Sequence, residues 1–74
     1  MSEELKKYHH WVAWSEEDQA FIGYCPDLSN GGMCHSDDPR VAYNELIDLM
    51  EWHCQRARDN HEALPQPRLK PALA

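Results

Sequence analysis

The sequence lacks a long apolar run and any obvious export signal. No stretch approaches the ~20 consecutive apolar residues that a membrane-spanning helix needs, so we expect a soluble protein without a membrane partner. No hydrophobic leader precedes Tyr8, and the three cysteines, Cys25, Cys34 and Cys54, cannot all pair within the chain. We therefore expect a reduced, cytoplasmic location.

Basic residues are also few. The chain has 7 Lys and Arg against 13 Asp and Glu, for a formal net charge of −6. Such a field repels phosphate, which argues against direct DNA binding and fits a basic protein partner better. A net negative charge of this size also occurs in proteins where it serves only solubility, without a basic partner.

Two segments rich in aromatic and β-branched residues indicate strands. Residues 7–14 and 20–25 have this composition, which suits a pleated, partly buried surface. The polar stretch 15–19 between them predicts an antiparallel hairpin. Pro26 removes a backbone donor and therefore ends the second strand.

A tight turn and a short strand are predicted next. Residues 27–32 are rich in turn formers, with positive φ expected at Gly31 or Gly32. Residues 33–35 can add only a short third strand. Near the C-terminus, residues 68–74 are predicted either to form a short edge strand or to fray.

Both faces of the first predicted strand are apolar. Tyr8, Val12 and Trp14 alternate with Trp11 and Ala13. A single helix can cover only one of these faces. The second face is then exposed or buried by a partner.

A helix is predicted over residues 39–59. Asp38 is a suitable N-cap before Pro39, and Asn60 is predicted to end the helix in the left-handed region. Val41 and Trp52 fall among the polar residues and should face solvent. At 100° per residue, an arc of about 160° collects the apolar side chains and one histidine: Leu49, Ala42, His53, Leu46, Ala57, Met50, Tyr43, Cys54 and Ile47.

Cysteine and histidine occur without the spacing of a zinc site. Structural zinc sites use short pairs such as Cys-x2-Cys, whereas Cys34 and His35 are adjacent, as are His53 and Cys54. Neighbours in a strand point to opposite faces. We predict no metal and no cofactor; the alternative is a three-ligand site from Cys25, one of Cys34 and His35, and His53 or Cys54.

Catalytic constellations are equally weak. The predicted strands carry no carboxylates for an RNase H-type metal centre. Cys54 lies near the helix C-terminus, the wrong end for lowering a thiol pKa. We predict inert buried cysteines, a core role for His53 and no enzymatic activity. The alternative is a small metal- or thiol-dependent enzyme built around Cys34, His35 and His53.

Several features in order resemble the HicB-like antitoxin domain. They are the hairpin ending in YCPDL at 24–28, the acidic N-cap before Pro39, Ala42 and Leu46 on the inner helix face, and ALPQPR at 63–68. The resemblance covers about residues 7–68. It implies a β-β-β-α core, described as a truncated RNase H-like fold, whose sheet and loops mask a small basic RNA-cleaving toxin.

The chain departs from the family pattern at three places. Only six residues follow Arg68, so we expect no DNA-binding module. The loop at 26–32 reads PDLSNGG where the family usually has PDLPGC. Arg40 and Val41 stand where glutamates commonly follow the helix-starting proline. The fold should survive these changes, but the loop could contact a different partner.

The sequence thus predicts one α+β domain over residues 1–74, with its core at 7–68 and loose order at 1–6 and 69–74. Domains this small rarely build a self-sufficient core, so we expect a homodimer or larger oligomer through the second sheet face. A solitary regulatory or structural oligomeric domain with another partner is the alternative to an antitoxin. The predicted interface residues are Trp11, Trp14, Tyr24, Asp27, Leu28 and Trp52.

Overall fold

The computed structural model describes residues 3–65 and has the predicted α+β class. Three antiparallel strands form a sheet in the order β1-β2-β3, and one long helix packs on it. None of the described helices is long and apolar enough to cross a membrane. The elements are the helical turn α1 (Glu3–Lys6), the strands β1 (Trp11–Ser15), β2 (Ala20–Tyr24) and β3 (Gly32–Ser36), and the helix α2 (Pro39–Asp59).

The hairpin is shorter at its start than predicted. Strand β1 begins at Trp11 rather than at residue 7. Tyr8 instead follows α1, where its N–H donates to the Leu5 carbonyl (3.2 Å) and its hydroxyl donates to the Pro65 carbonyl (2.6 Å). These bonds, together with full burial of Tyr8, hold the segment in the core. Tyr8 is therefore a core residue and not a member of the paired strand.

The N-terminal turn also departs from the sequence prediction. Loose order is predicted for residues 1–6, but Glu3–Lys6 is helical and Leu5 is fully buried. Leu5 and Tyr8 join Cys25 in the core cluster with the inner side of α2. Apolar burial thus anchors a segment too short to form a stable helix alone. The predicted C-terminal edge strand at 68–74 lies outside the described residues.

A glycine lets the helix approach the sheet closely. Val12, Gly23 and Cys34 are aligned across the three strands. A Cβ atom at Gly23 would lie 2.7 Å from the Cys34 Sγ and 3.1 Å from the Leu46 Cβ. Because residue 23 has no side chain, Leu46 packs directly on the sheet at this point. A larger residue at position 23 would hold the helix away from the sheet. This contact fixes which face of the sheet α2 covers.

Both ends of α2 match the predicted bounds, but its C-terminal cap differs. At the start, the Asp38 carboxylate accepts from the Arg40 N–H (2.8 Å). At the end, Asn60 has φ −93° and His61 takes the left-handed conformation with φ 55°. The Glu62 N–H donates to the Ala57 carbonyl (2.8 Å), which completes a Schellman motif one residue later than predicted.

The buried stripe of α2 is narrower than the predicted arc. Tyr43 is 38% exposed, and Ile47, Leu49 and His53 are only half-buried. A sheet of three five-residue strands is too small to cover a 160° arc of a 21-residue helix. The buried members of α2 are Ala42, Leu46, Met50, Cys54 and Ala57.

The predicted solvent exposure of two apolar helix residues is confirmed. Val41 is 44% exposed and Trp52 is 53% exposed. The turn prediction is confirmed at Gly31, which has φ +74°. Helical periodicity and the conformational demand of a tight turn were sufficient to place these residues.

Candidate functional site

The sheet face opposite α2 carries a stacked aromatic pair. Trp11 on β1 is directly paired with Tyr24 on β2. Their rings lie 5.2 Å apart between centroids and are inclined by 25°. The His9 ring extends this contact, with its centroid 4.9 Å from that of Trp11. Three aromatic rings therefore line one end of what we call the open face.

A groove of about 460 Å³ lies beside this aromatic pair. Ile22, only 8% exposed, forms an apolar floor, and the strand register places His35 directly across from it. A volume in this range suits a side-chain cluster or a small ligand. The groove is lined by Asp18, Ile22, Tyr24, Gly32, Met33, Cys34 and His35.

The hairpin turn adds negative charge to the open face. Glu16, Glu17 and Asp18 are all exposed. The turn has internal support, because the Ser15 hydroxyl donates to the Asp18 Oδ2 (3.1 Å) and the Gln19 amide donates to the Glu16 carbonyl (2.7 Å). Three carboxylates are thus held at the end of the sheet where Asp18 lines the groove, which gives the open face an acidic rim.

Besides Trp52, three of the predicted interface residues lie away from the open face. Trp14 is 45% exposed, but the alternation along β1 places it on the side opposite Trp11, where its ring meets Phe21 edge-on (5.1 Å). Asp27 is only 7% exposed, and Leu28 packs against the core. The Asp27–Leu28 turn is built into the fold, with the Leu28 N–H donating to the Cys25 carbonyl (3.0 Å).

Trp52 forms a second, separate surface on the outer side of α2. The Arg56 guanidinium lies over its ring at 5.3 Å from the centroid. His53 meets the same ring edge-on at 5.0 Å, so this half-buried histidine lies at the edge of the outer surface and outside the buried stripe of α2. The six predicted residues therefore divide among the open face, the helix side of the sheet, a structural turn and the outer helix.

The cysteines and histidines do not assemble a reactive centre. The Cys34 thiol donates to the Ala42 carbonyl on the helix side (3.2 Å), whereas His35 is exposed on the open face. Burial raises the pKa of the Cys34 thiol and that of the Cys25 thiol. Among residues 3–65, no three His, Cys, Asp or Glu side chains converge to hold a metal ion.

Sequence reasoning missed most residues of the groove. Ile22 shares the period-two alternation of Tyr24, so its place on the same face could have been deduced. Placing His35 in the groove requires the register of β2 and β3. The bulge between Gly23 and Tyr24 shifts that register, so the sequence does not reveal it in advance. Placing Asp18 in the groove requires knowing that the hairpin turn lies toward this face of the sheet.

Comparisons of the chain with known protein families, with curated proteins and with solved structures found no match. The likeness to a HicB-like domain therefore stays a prediction from the motifs of the sequence.

Proposed function

We propose that this domain is a non-catalytic protein-binding module that resembles a HicB-like antitoxin and masks a small basic RNA-cleaving protein. The observation that carries the proposal is the open face, where the stacked Trp11 and Tyr24 rings stand beside a groove with an acidic rim. Helix α2 covers the opposite face of the sheet. The open face is therefore the surface of the sheet that the fold leaves to a partner.

The chemistry of this face suits a basic protein. Trp and Tyr are common binding hot spots because they bury large, rigid surfaces at small entropic cost. An Arg or Lys side chain of the partner can also lie over the Trp11 or Tyr24 ring. Carboxylates at residues 16–18 and the net charge of −6 attract such a partner and speed its encounter with the domain.

A non-catalytic role is supported by the state of the thiols. A nucleophilic cysteine needs a lowered pKa. Desolvation instead raises the pKa of Cys34, and the negative charge of Glu45 acts in the same direction. The thiol is protonated at neutral pH and bonded to a helix carbonyl. This environment favours packing over reaction.

The direct test is capture of partners from native cell extract by the tagged full chain, followed by mass spectrometry. We expect one small basic protein in near-equal amount, released as salt is raised because exposed charges are screened beyond about 8–10 Å at 0.1–0.15 M salt. The purified partner should cleave RNA, and added domain should stop the cleavage.

A charge-neutral variant provides the matched control. E16Q, E17Q and D18N together keep the size of the turn side chains and remove three exposed charges, so we expect much weaker capture. Recovery of the domain alone would contradict the antitoxin proposal and favour a solitary oligomeric domain. Equal capture by the neutral variant would contradict the acidic rim as the attracting feature.

A further inference from the structure

The loop that leads into β3 contains an asparagine followed by two glycines. Asn30 and Gly31 are both exposed and lie outside the helices and strands. Gly31 has φ +74°, and no heavy atom beyond its chain neighbours lies within 4 Å of the position that a Cβ atom would occupy there. The space around the peptide bond between these two residues is therefore open.

Two reactive groups that flank this peptide bond are unpaired. The Asn30 backbone carbonyl accepts from the Ser29 hydroxyl (3.4 Å), but neither the Asn30 side-chain amide nor the Gly31 N–H has a hydrogen-bond partner among residues 3–65. The backbone nitrogen that follows an asparagine reaches the side-chain carbonyl carbon by closing a succinimide ring. Glycine at that position has no side chain to obstruct the approach.

We propose that Asn30 is a site of spontaneous deamidation. The Gly31 nitrogen gives up its proton to a base in the solvent and attacks the Asn30 Cγ. The new N–Cγ bond displaces the side-chain nitrogen, which takes a proton from water and leaves as ammonia. Water then opens the succinimide at either of its carbonyl carbons. The products are aspartate and isoaspartate at position 30, and the reaction consumes only water.

The chain offers two further asparagines for comparison. Asn44 and Asn60 are also exposed. The N–H that follows Asn44 lies inside α2, where such groups donate to carbonyls four residues earlier. The N–H that follows Asn60 belongs to His61 and donates to the Arg58 carbonyl (3.1 Å). Both nitrogens must leave a hydrogen bond before they can attack, whereas the nitrogen after Asn30 has no such bond to break.

Deamidation at this site changes the charge of the open face. Each product carries a carboxylate that is ionised at neutral pH. Gly32, which follows in the same loop, pairs with Tyr24 and lines the groove, so the new charge lies near the end of the groove away from the hairpin turn. The added charge strengthens the attraction for a basic partner. This last consequence rests on the proposed function, whereas the reaction itself does not.

Peptide mass spectrometry of the full chain during storage tests the proposal. Cleavage by trypsin after Lys and Arg places the three asparagines in separate peptides, 8–40, 41–56 and 59–68. At mildly alkaline pH, the mass change from amide to acid at Asn30 should appear at least ~10-fold faster than at the other two asparagines, which react only after local opening. Enzymatic methylation specific for isoaspartate should label peptide 8–40.

Two variants separate this reaction from other causes of a mass change. N30Q lengthens the side chain, so the succinimide does not form and the change in peptide 8–40 should disappear. G31A places a methyl group beside the attacking nitrogen, so the reaction should slow at least ~10-fold. Circular dichroism shows whether each variant is folded. In urea, the rates at Asn44 and Asn60 should rise by a larger factor than the rate at Asn30, because only the first two lose a protecting hydrogen bond.

The proposal would be overturned if Asn30 stayed intact in the folded chain under conditions that deamidate a short peptide of residues 28–33. Equal rates at the three asparagines of the folded chain would also overturn it. Formation of aspartate without isoaspartate would exclude the succinimide route. None of these measurements needs a partner, so their outcome is independent of whether a basic protein is captured.

Discussion

The two faces of the three-stranded sheet are made by the same strands but differ in what lies on them. On the covered face, Gly23 and Cys34 lie close against Leu46 of α2. On the open face, the Trp11 ring stacks on Tyr24 and also contacts His9. Small residues admit the helix on one side, whereas the half-buried Trp11 and Tyr24 form part of the uncovered surface on the other. Residues that stabilise the fold and residues that can bind are therefore largely separate.

The largest effect should follow from opening a cavity on the covered face. Leu46 is fully buried between the helix and the sheet. Leu46→Ala should lower the free energy of unfolding by about 2–5 kcal/mol, measured by urea denaturation. Val41→Ala on the exposed side of the same helix is the control and should change it by about 0.5 kcal/mol or less. Similar losses for the two variants would contradict the assignment of the covered face.

Crowding the same contact should have the next largest effect. Gly23→Ala adds a methyl group 2.7 Å from the Cys34 Sγ and 3.1 Å from the Leu46 Cβ, so it should destabilise the fold by about 1–3 kcal/mol. Adding Cys34→Ala removes the nearer atom and should recover part of the loss. Stability curves for the two single variants and the double variant give the coupling. Simple additivity would show that the close approach at Gly23 is not as described.

A large residue on the open face should matter less for folding than the fully buried Leu46. Trp11→Ala removes the stacked contact with Tyr24, worth about 0.5–1.5 kcal/mol beyond the area that the half-buried Trp11 ring covers. For a domain of 74 residues each 1 kcal/mol shifts the melting temperature by about 4–8 °C, so loss of the stacked contact alone should lower it by about 2–12 °C. The comparison with Leu46→Ala is the informative one, because Trp11 is the larger side chain of the two. A loss exceeding that of Leu46→Ala would make the open face part of the core.

The smallest effect concerns the helix cap and depends on pH. The Arg40 N–H bonded to its carboxylate lowers the pKa of Asp38 below its ordinary value. The cap thus contributes stability that is present above the unfolded-state pKa, about 4, and is lost as the pH falls through the lower folded-state value. Asp38→Asn keeps an accepting oxygen that does not titrate. The wild type should lose stability relative to this variant as the pH falls from about 5 to about 2.

An unchanged difference between the wild type and Asp38→Asn across that range would contradict the cap contribution. Melting curves at each pH should include Asp37→Asn as a control. This change removes a neighbouring exposed charge and leaves the 2.8 Å bond between the Arg40 N–H and Asp38 in place. The control therefore separates the cap from general acid effects.

Local signals in the sequence were enough for α2 and the turn at Gly31. An acidic N-cap followed by proline and a period of 3.6 residues depends only on nearby residues, so the bounds Pro39–Asp59 followed directly. The C-terminal cap was displaced by one residue because His61, rather than Asn60, adopts positive φ. Asn and His are both compatible with a position just after a helix, so the sequence pattern alone does not show which of Asn60 and His61 adopts positive φ.

Tertiary contacts account for what the sequence did not predict. Tyr8 resembles a strand residue, yet its hydroxyl bonds to the Pro65 carbonyl, 57 residues away. The groove depends on the register that sets His35 opposite Ile22. Asp27 is predicted from the sequence to lie in an interface, but the structure buries it in a turn. Each case depends on how the chain packs in three dimensions, which periodicity does not encode.

The central claim is that the covered face of the sheet stabilises the fold and the open face binds the partner. Its most direct test is one paired measurement on the double variant Trp11→Ala/Tyr24→Ala. Capture of the basic partner and thermal unfolding are measured together for this double variant and for the wild type. We predict that capture falls at least tenfold while the domain stays folded, with a melting temperature lower by about 2–12 °C from loss of the stack. Capture equal to that of the wild type, or unfolding of the domain, would contradict the assignment of the open face as the binding surface.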